Sequence, residues 1–207
     1  MNLDASSLME VGASSGAFIH LANCEFDSVV AVEPDPQSCQ YIKSKGIQAY
    51  SSIDLIPTDQ KYDLIVLFHV LEHIAEPVAL LDKMVTYLTD KGSILIEVPN
   101  VEDILISHYD IPKFKDFYFC SPHLFYFSEK TLTQLLNKVT NLKITNIEFI
   151  QRYDLKNHLK WLNNQNGCNF NESNFSILSE ITLAEYNKDL IRSKKTDTIR
   201  LLCSLKN

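Results

Sequence analysis

Two carboxylates, Glu10 and Glu33, each follow a short apolar run, and two glycines, Gly12 and Gly16, lie between them. The first carboxylate sits in Leu8-Met9-Glu10-Val11-Gly12-Ala13-Ser14-Ser15-Gly16. Glycines four apart let the backbone turn sharply and approach a ligand closely. Glu10 is placed to accept a hydrogen bond from an ammonium group. Glu33 ends Val29-Val30-Ala31-Val32, where a carboxylate can take both hydroxyls of an adenosine ribose. Two plainer readings stay open: an ordinary strand-to-helix turn for the glycines, and a helix N-cap role for the acid after strand two, which Asp35 fits better than Glu33. A pyrophosphate-binding loop would show G-x-G-x-x-G; here Ser14 stands where a central glycine is common, and an acid precedes Gly12.

A second set of groups is suited to proton transfer. His69-Val70-Leu71-Glu72-His73 follows a strongly apolar run, and His123 lies in an aromatic-rich stretch. Imidazoles titrate near neutrality and make effective general bases. His123 ranks first, because its segment is expected to cover the site; a structural hydrogen bond is the plainer role. His73 is either a base or a residue that orients its own loop. Arg152, Asn157 and His158 can orient a polar substrate, although surface solvation explains them equally well. His69, Glu72, His73 and His123 are also metal-ligand types.

These residues need elements to hold them. Apolar runs over 7–11, 28–32, 46–50, 62–68 and 92–98 read as five strands alternating with helices over 17–23, 35–45 and 77–88. Tyr62-Asp63-Leu64-Ile65-Val66-Leu67-Phe68 is nearly continuous in apolar character, as in a strand covered on both faces. The stretch 101–127 shows no clean period and is rich in aromatics, so it is expected to be a lid or substrate-covering segment. Ser128 reads as the N-cap of a helix bearing Leu132, Leu135, Leu136 and Val139. Strands are expected over 142–152 and 198–205, with a polar loop over 163–173 and a helix over 175–193 between them. The fold class is therefore α/β: a Rossmann-like, mostly parallel sheet of seven strands with helices on both faces. Its last strand is expected antiparallel beside the fifth. Residues 1–207 form a single domain in this reading. The chain starts almost at its first strand, which fits a piece of a longer protein.

The chain carries 26 acidic and 19 basic side chains, for a formal net charge of −7. That balance disfavours a broad phosphate-gripping surface, so nucleic acid is not an expected partner. Cys24, Cys39, Cys120, Cys168 and Cys203 are odd in number and widely spaced, which points to reduced thiols. No apolar run approaches the roughly 20 residues a bilayer span requires, and the N-terminus is not a signal peptide. A cytoplasmic protein without membrane insertion is expected; the oligomeric state is left open.

Taken together, E-V-G-x-x-x-G, V-E-P-D, Y-D-L-I followed by H-V-L-E-H-I, and G-S-I-L-I-E-V-P-N resemble the class I S-adenosylmethionine-dependent methyltransferases. The resemblance is dense from Leu8 to Asn100. The later stretches around Pro122-His123-Leu124-Phe125-Tyr126 and Gln151-Arg152-Tyr153 resemble a bacterial subgroup found among surface-polysaccharide biosynthesis enzymes. The resemblance implies that Glu10, Gly12, Ala13, Ser14 and Gly16 line the methionine and ribose of the cofactor. It implies that Glu33 holds the ribose hydroxyls, with Pro34 against the adenine and Ser52 and Ile53 near the adenine edge. Phe68 and His69 would meet the methionine end through their backbones. Tyr126, Arg152, Asn157 and His158 would meet the acceptor, a small-molecule or sugar-linked group, with His123 or His73 as base. O-methylation of a sugar hydroxyl or a phosphate-type group is expected. The alternatives are C- or N-methylation of a nucleotide-sugar, a non-catalytic cofactor-binding domain, or a nucleotide-dependent oxidoreductase. A related RNA 3′-end methyltransferase family holds Mg²⁺ in a comparable histidine–acid cluster. Here the first position is His69 rather than an acid, and no metal is expected.

Overall fold

A computed structural model describes residues 5–119, 122–164 and 178–206. The expectations for Cys120 and Cys168, for most of the polar loop over 163–173 and for a helix start at 175 lie outside the described residues.

The chain opens with β1 (Ser7–Val11), α1 (Ala17–Ala22), β2 (Ser28–Val32), α2 (Pro36–Ser44) and β3 (Gln48–Tyr50). A 3-10 turn (Ile53–Leu55) leads to β4 (Tyr62–Phe68), and a second (Leu71–His73) leads to α3 (Pro77–Val85) and β5 (Leu88–Pro99). Then come α4 (Ile104–Ser107), α5 (Pro112–Tyr118), α6 (Glu129–Leu136), β6 (Leu142–Ile150), α7 (Leu155–Asn164), α8 (Glu180–Ser193) and β7 (Thr198–Leu205). One seven-stranded sheet has the order β3-β2-β1-β4-β5-β7-β6. The pairs β1–β2, β1–β4, β2–β3 and β4–β5 are parallel. β7 runs antiparallel to both of its neighbours, β5 and β6. This is the Rossmann-like arrangement that the alternation of runs predicts.

The order reverses at β1. The chain steps outward through β2 to β3, then returns to lay β4 on the other side of β1. In such sheets the crevice at the carboxyl ends of the two strands flanking the reversal receives the ligand. Apolar layers hold those strand ends from both faces. One contains Ile65, Leu67, Ile94 and Ile96 under Leu81 and Met84 of α3 and Leu132 and Leu136 of α6. The other contains Leu8, Ala31, Leu64 and Val66 under Ile19 of α1 and Cys39 and Ile42 of α2. Each fully buried Leu or Ile contributes about 1.5–3 kcal/mol, so the strand tips project from a rigid base.

Several boundaries differ from expectation for identifiable reasons. The helix expected to reach residue 88 stops at Val85, because Tyr87 turns inward and its hydroxyl donates to the carbonyls of Ile53 and Ile56. β5 consequently starts early, at Leu88. β6 ends at Ile150, two residues short of expectation, because Asp197 draws the next residues aside by accepting from the amides of Arg152 and Tyr153 at 2.8 and 3.0 Å. The described part of the stretch 101–127 is partly helical. It folds into α4 and α5, whose Leu105, Ile106, Ile111, Phe114 and Tyr118 form a separate small core with Trp161 and Leu162 of α7. α7 itself was not expected; Asp154 opens it by accepting from the amide of Asn157 at 3.0 Å.

Candidate active site

Gly12 and Gly16 both have φ of +79°, a region that favours glycine. A Cβ on Gly12 would lie 2.4 Å from a methyl carbon of Val70 in the turn after β4, so the two loops flanking the reversal are in contact there. Between the glycines, Ser14 adopts φ of +49° and its amide donates to Glu33 at 2.6 Å. The other carboxylate oxygen of Glu33 accepts from the amide of Asp35 at 2.8 Å. Glu33 is therefore buried and aimed by two backbone donors, whereas Asp35 caps α2 by accepting from the amide of Ser38. The two acids divide the roles the sequence left open.

Glu10 is buried, and its Oε2 has no hydrogen-bond partner. Burial, with the nearby negative charge of Glu33 adding to it, pushes its carboxyl up to about 8. Such a group is poised to receive a cationic ligand. A carboxylate oxygen without a partner, a glycine bend that no side chain could occupy and a second carboxylate held at the tip of β2 fit the amino-acid and ribose ends of S-adenosylmethionine. Ala13 is buried and Pro34 exposed. Ser52 caps the first 3-10 turn and Ile53 turns its side chain into the core, which leaves the Ile53 backbone for any contact with a ligand. Phe68 packs edge-on against Phe18 at 4.8 Å.

On the other side of the reversal lies a cavity of about 430 Å³. His69, with φ of +56°, stands at its head. Its amide donates to the Glu97 carbonyl at 3.0 Å, and its Nε2 faces Arg152 Nη1 at 2.8 Å. An arginine can only donate, so that nitrogen accepts, and the proton sits on Nδ1, 3.6 Å from Glu72. Glu72 is buried, and neither of its carboxylate oxygens has a hydrogen-bond partner. His73 and His123 lie beside it with their rings 4.8 Å apart. Backbone bonds create this juxtaposition: the Glu72 carbonyl accepts from the amides of Leu124 at 2.8 Å and Phe125 at 3.1 Å, which hangs the segment bearing His123 on the turn bearing His73. Burial, then the proximity of His73, holds His123 below the usual histidine range.

The cavity wall is aromatic, with Phe114, Phe117, Tyr118 and Trp161, and its polar edge holds Arg152, Asn157, His158 and Asp197. Both ring nitrogens of His158 are already engaged, Nδ1 with the Tyr186 hydroxyl at 2.7 Å and Nε2 with Gln151 at 3.1 Å. Burial holds its pKa below the ordinary value. Tyr126 is not in the cavity wall; it backs the His123 ring at 5.7 Å. Sequence reasoning missed Asp103, Tyr118, Trp161 and Asp197. Asp103 is buried, caps α4 and is pushed up to about 7, first by burial and then by the charge of Asp197. The Tyr118 hydroxyl is buried without a partner, and burial drives its pKa upward.

Comparison with known proteins agrees with this geometry. The model of one protein family, described as a methyltransferase domain, matches residues 2–147. No curated protein matches the chain. Among solved structures, a SAM-dependent methyltransferase from Archaeoglobus fulgidus superposes with a TM-score of 0.62 at 16% identity, covering 97% of this chain and 86% of that one. A second S-adenosylmethionine-dependent methyltransferase, from Clostridium acetobutylicum, gives 0.60 at 11% identity over 100% and 86%. The plantazolicin methyltransferase BpumL, in complex with SAH, gives 0.60 at 13% identity over 98% and 77%. At these identities the likeness establishes a shared fold. No helix among the described residues is long and apolar enough to cross a membrane.

Proposed function

The chain belongs to the methyltransferase domain family, and on that premise we propose that it methylates a hydroxyl oxygen of a small polar acceptor. The acceptor in this reading is a sugar or phosphate-bearing precursor of a surface glycan, and the reaction is cytoplasmic. The observation that carries the reading is the contact of Gly12 with Val70. It joins the carboxylate-lined bend at β1 to the histidine-lined cavity after β4, so a donor and an acceptor can meet at one crevice.

Bound S-adenosylmethionine supplies an electrophilic methyl carbon and a neutral thioether as leaving group. Glu33 would hold its ribose hydroxyls and Glu10 its ammonium, around the bend formed by Gly12, Ala13, Ser14 and Gly16. The aromatic wall packs against the acceptor and keeps water out, Arg152 and Asn157 orient its polar groups, and His123, with His73 behind it, takes the hydroxyl proton. Holding the two reactants in line is the larger contribution; a positioned base adds about 10²–10⁴.

The test is a calorimetric titration with S-adenosylhomocysteine, paired with methyl transfer from labelled donor to a panel of nucleotide-sugars and glycan fragments. Glu33→Ala is expected to weaken cofactor binding by about 10–100-fold, as for loss of hydrogen bonds to a charged group. His123→Ala is expected to retain binding and slow turnover. Unchanged affinity in the Glu33 variant would overturn the cofactor assignment, and unchanged turnover in the His123 variant would remove that residue from the reaction.

A further inference from the structure

We propose that Glu72, His73 and His123 form a binding site for a divalent first-row transition-metal ion at the head of the acceptor cavity. In sequence, Glu72, His73 and His123 are metal-ligand types, but the first position of the cluster is His69 rather than an acid, and no metal is expected on that ground. The argument begins with Glu72. Its carboxylate is buried, neither oxygen has a hydrogen-bond partner, and no lysine or arginine among the described residues pairs with it. A buried carboxylate normally has donors or a cation to compensate its lost hydration. The nearest proton-bearing group, His69 Nδ1, stands 3.6 Å away, beyond hydrogen-bond distance, and the other neighbours, His73 and His123, can offer lone pairs to an ion. One ligand atom each from Glu72, His73 and His123 lie within 4.8 Å of one another. An ion about 2.0–2.2 Å from each would draw these atoms to roughly 3.3–3.6 Å apart in tetrahedral geometry, a closure that small side-chain rotations supply.

The surroundings of the two imidazoles suit ligation. His73 Nδ1 faces the Pro122 carbonyl at 3.4 Å, which leaves Nε2 as its lone-pair nitrogen. A metal-bound histidine typically uses its second nitrogen in this way, toward a backbone carbonyl. His123 Nδ1 is buried and has no partner. Of the four ligand types adjacent in this region, His69 is the one diverted, with Nε2 engaged by Arg152. Two imidazoles and one carboxylate favour ions such as Mn²⁺, Fe²⁺, Co²⁺ or Zn²⁺ over Mg²⁺ and Ca²⁺, which prefer oxygen. Three protein ligands leave coordination positions open toward the cavity.

An ion at this place would do two things. It would pin the segment carrying His123 to the turn after β4, strengthening the join that the Glu72 carbonyl already makes with Leu124 and Phe125. It would also lower the pKa of an acceptor hydroxyl that reaches it, a part of the inference that rests on the methyl-transfer reading. His123 then serves as ligand when the ion is bound and takes the proton directly when it is not.

The experiment uses the untagged full chain stripped with a chelator. Co²⁺ is titrated while its visible absorption is followed, and Mn²⁺ and Zn²⁺ are titrated by calorimetry, each with and without S-adenosylhomocysteine. One Co²⁺ per chain is expected, with absorption bands of a nitrogen–oxygen site and a rise in melting temperature. Glu72→Gln, which keeps the side-chain shape, and His123→Ala are each expected to weaken Co²⁺ binding by at least about tenfold while S-adenosylhomocysteine affinity stays unchanged. Wild-type protein that binds S-adenosylhomocysteine but no Co²⁺, or Co²⁺ binding that Glu72→Gln leaves intact, overturns the site. Failure to bind S-adenosylhomocysteine instead overturns the methyl-transfer reading and leaves the metal titration to be judged by its own spectrum.

Discussion

Glu10 has an ordinary pKa of 4.5 and is raised to about 8 in the folded chain, chiefly by burial. A raised folded value means that the protonated form is the one the fold prefers. Its contribution to stability is complete below 4.5 and is lost as pH climbs through 8. The ligand-free protein should therefore lose melting temperature over that window. Glu10→Gln should flatten the decline and melt higher than wild type at pH 8, as measured by thermal scans across pH 4.5 to 9. Parallel pH profiles for the two proteins would refute the assignment. On the proposed function, the same substitution should weaken S-adenosylhomocysteine binding, because the carboxylate that burial penalises is the group that reading assigns to the ligand's ammonium. At this scale the carboxylate-lined bend was legible in sequence: Glu10, Gly12, Gly16 and Glu33 come together through local turns whose spacing is written in adjacent residues. Asp197 was not, since its partners Gln151, Arg152 and Tyr153 lie more than forty positions away and meet it only after β6 and β7 pair.

Among the elements, α6 shows how strongly local chemistry can specify a boundary. The Ser128 hydroxyl accepts from the amide of Thr131, and the Thr131 hydroxyl accepts in return from the amide of Ser128, a reciprocal capping box. Leu132 and Leu136 then enter the main core. Ser128→Ala should cost about 1 kcal/mol, read as a lower urea midpoint with unchanged slope, whereas replacing the neighbouring exposed Lys130 by Ala should leave the midpoint within error. α7 is the contrasting case. Leu155, Leu159 and Leu162 carry helical spacing, but Lys156, Asn157, Lys160 and Asn163 dilute it, and its neighbour Trp161 packs against Phe114 and Phe117 of α5 rather than the sheet. Sequence alone does not show the partner helix of these aromatic residues, which have no period of their own, although Phe114, Phe117 and Tyr118 do line the cavity.

Across the whole molecule, the two halves of the crevice are held by different means. The carboxylate-lined bend rests on the parallel strands β1, β2 and β4, while the histidine-lined cavity depends on β7 lying between β5 and β6. Arg200 on β7 ties that second half together, pairing with buried Glu97 on β5 and with Glu148 on β6. Arg200→Met would keep much of the side-chain volume but leave Glu97 without its cation. It is expected to destabilise the protein by about 1.5–3 kcal/mol, with a double variant that also carries Glu97→Gln recovering part of the loss. Equal urea midpoints for wild type and Arg200→Met would show that the tie contributes nothing.

The place of β7 also bears on how the protein is made. Of the seven strands in this sheet it is the last in chain order, yet it fills an interior slot. While translation is still short of residue 198, β5 presents an unpaired edge, and β6 has no neighbour to bond. Chain growth at about 5–20 residues per second keeps those edges bare for a second or more, the interval in which a nascent chain is exposed to mispairing with other polypeptides. Folding of this sheet is thus a gap-closing event, and a ribosome paused within β7 would display β5 and β6 with the slat between them missing.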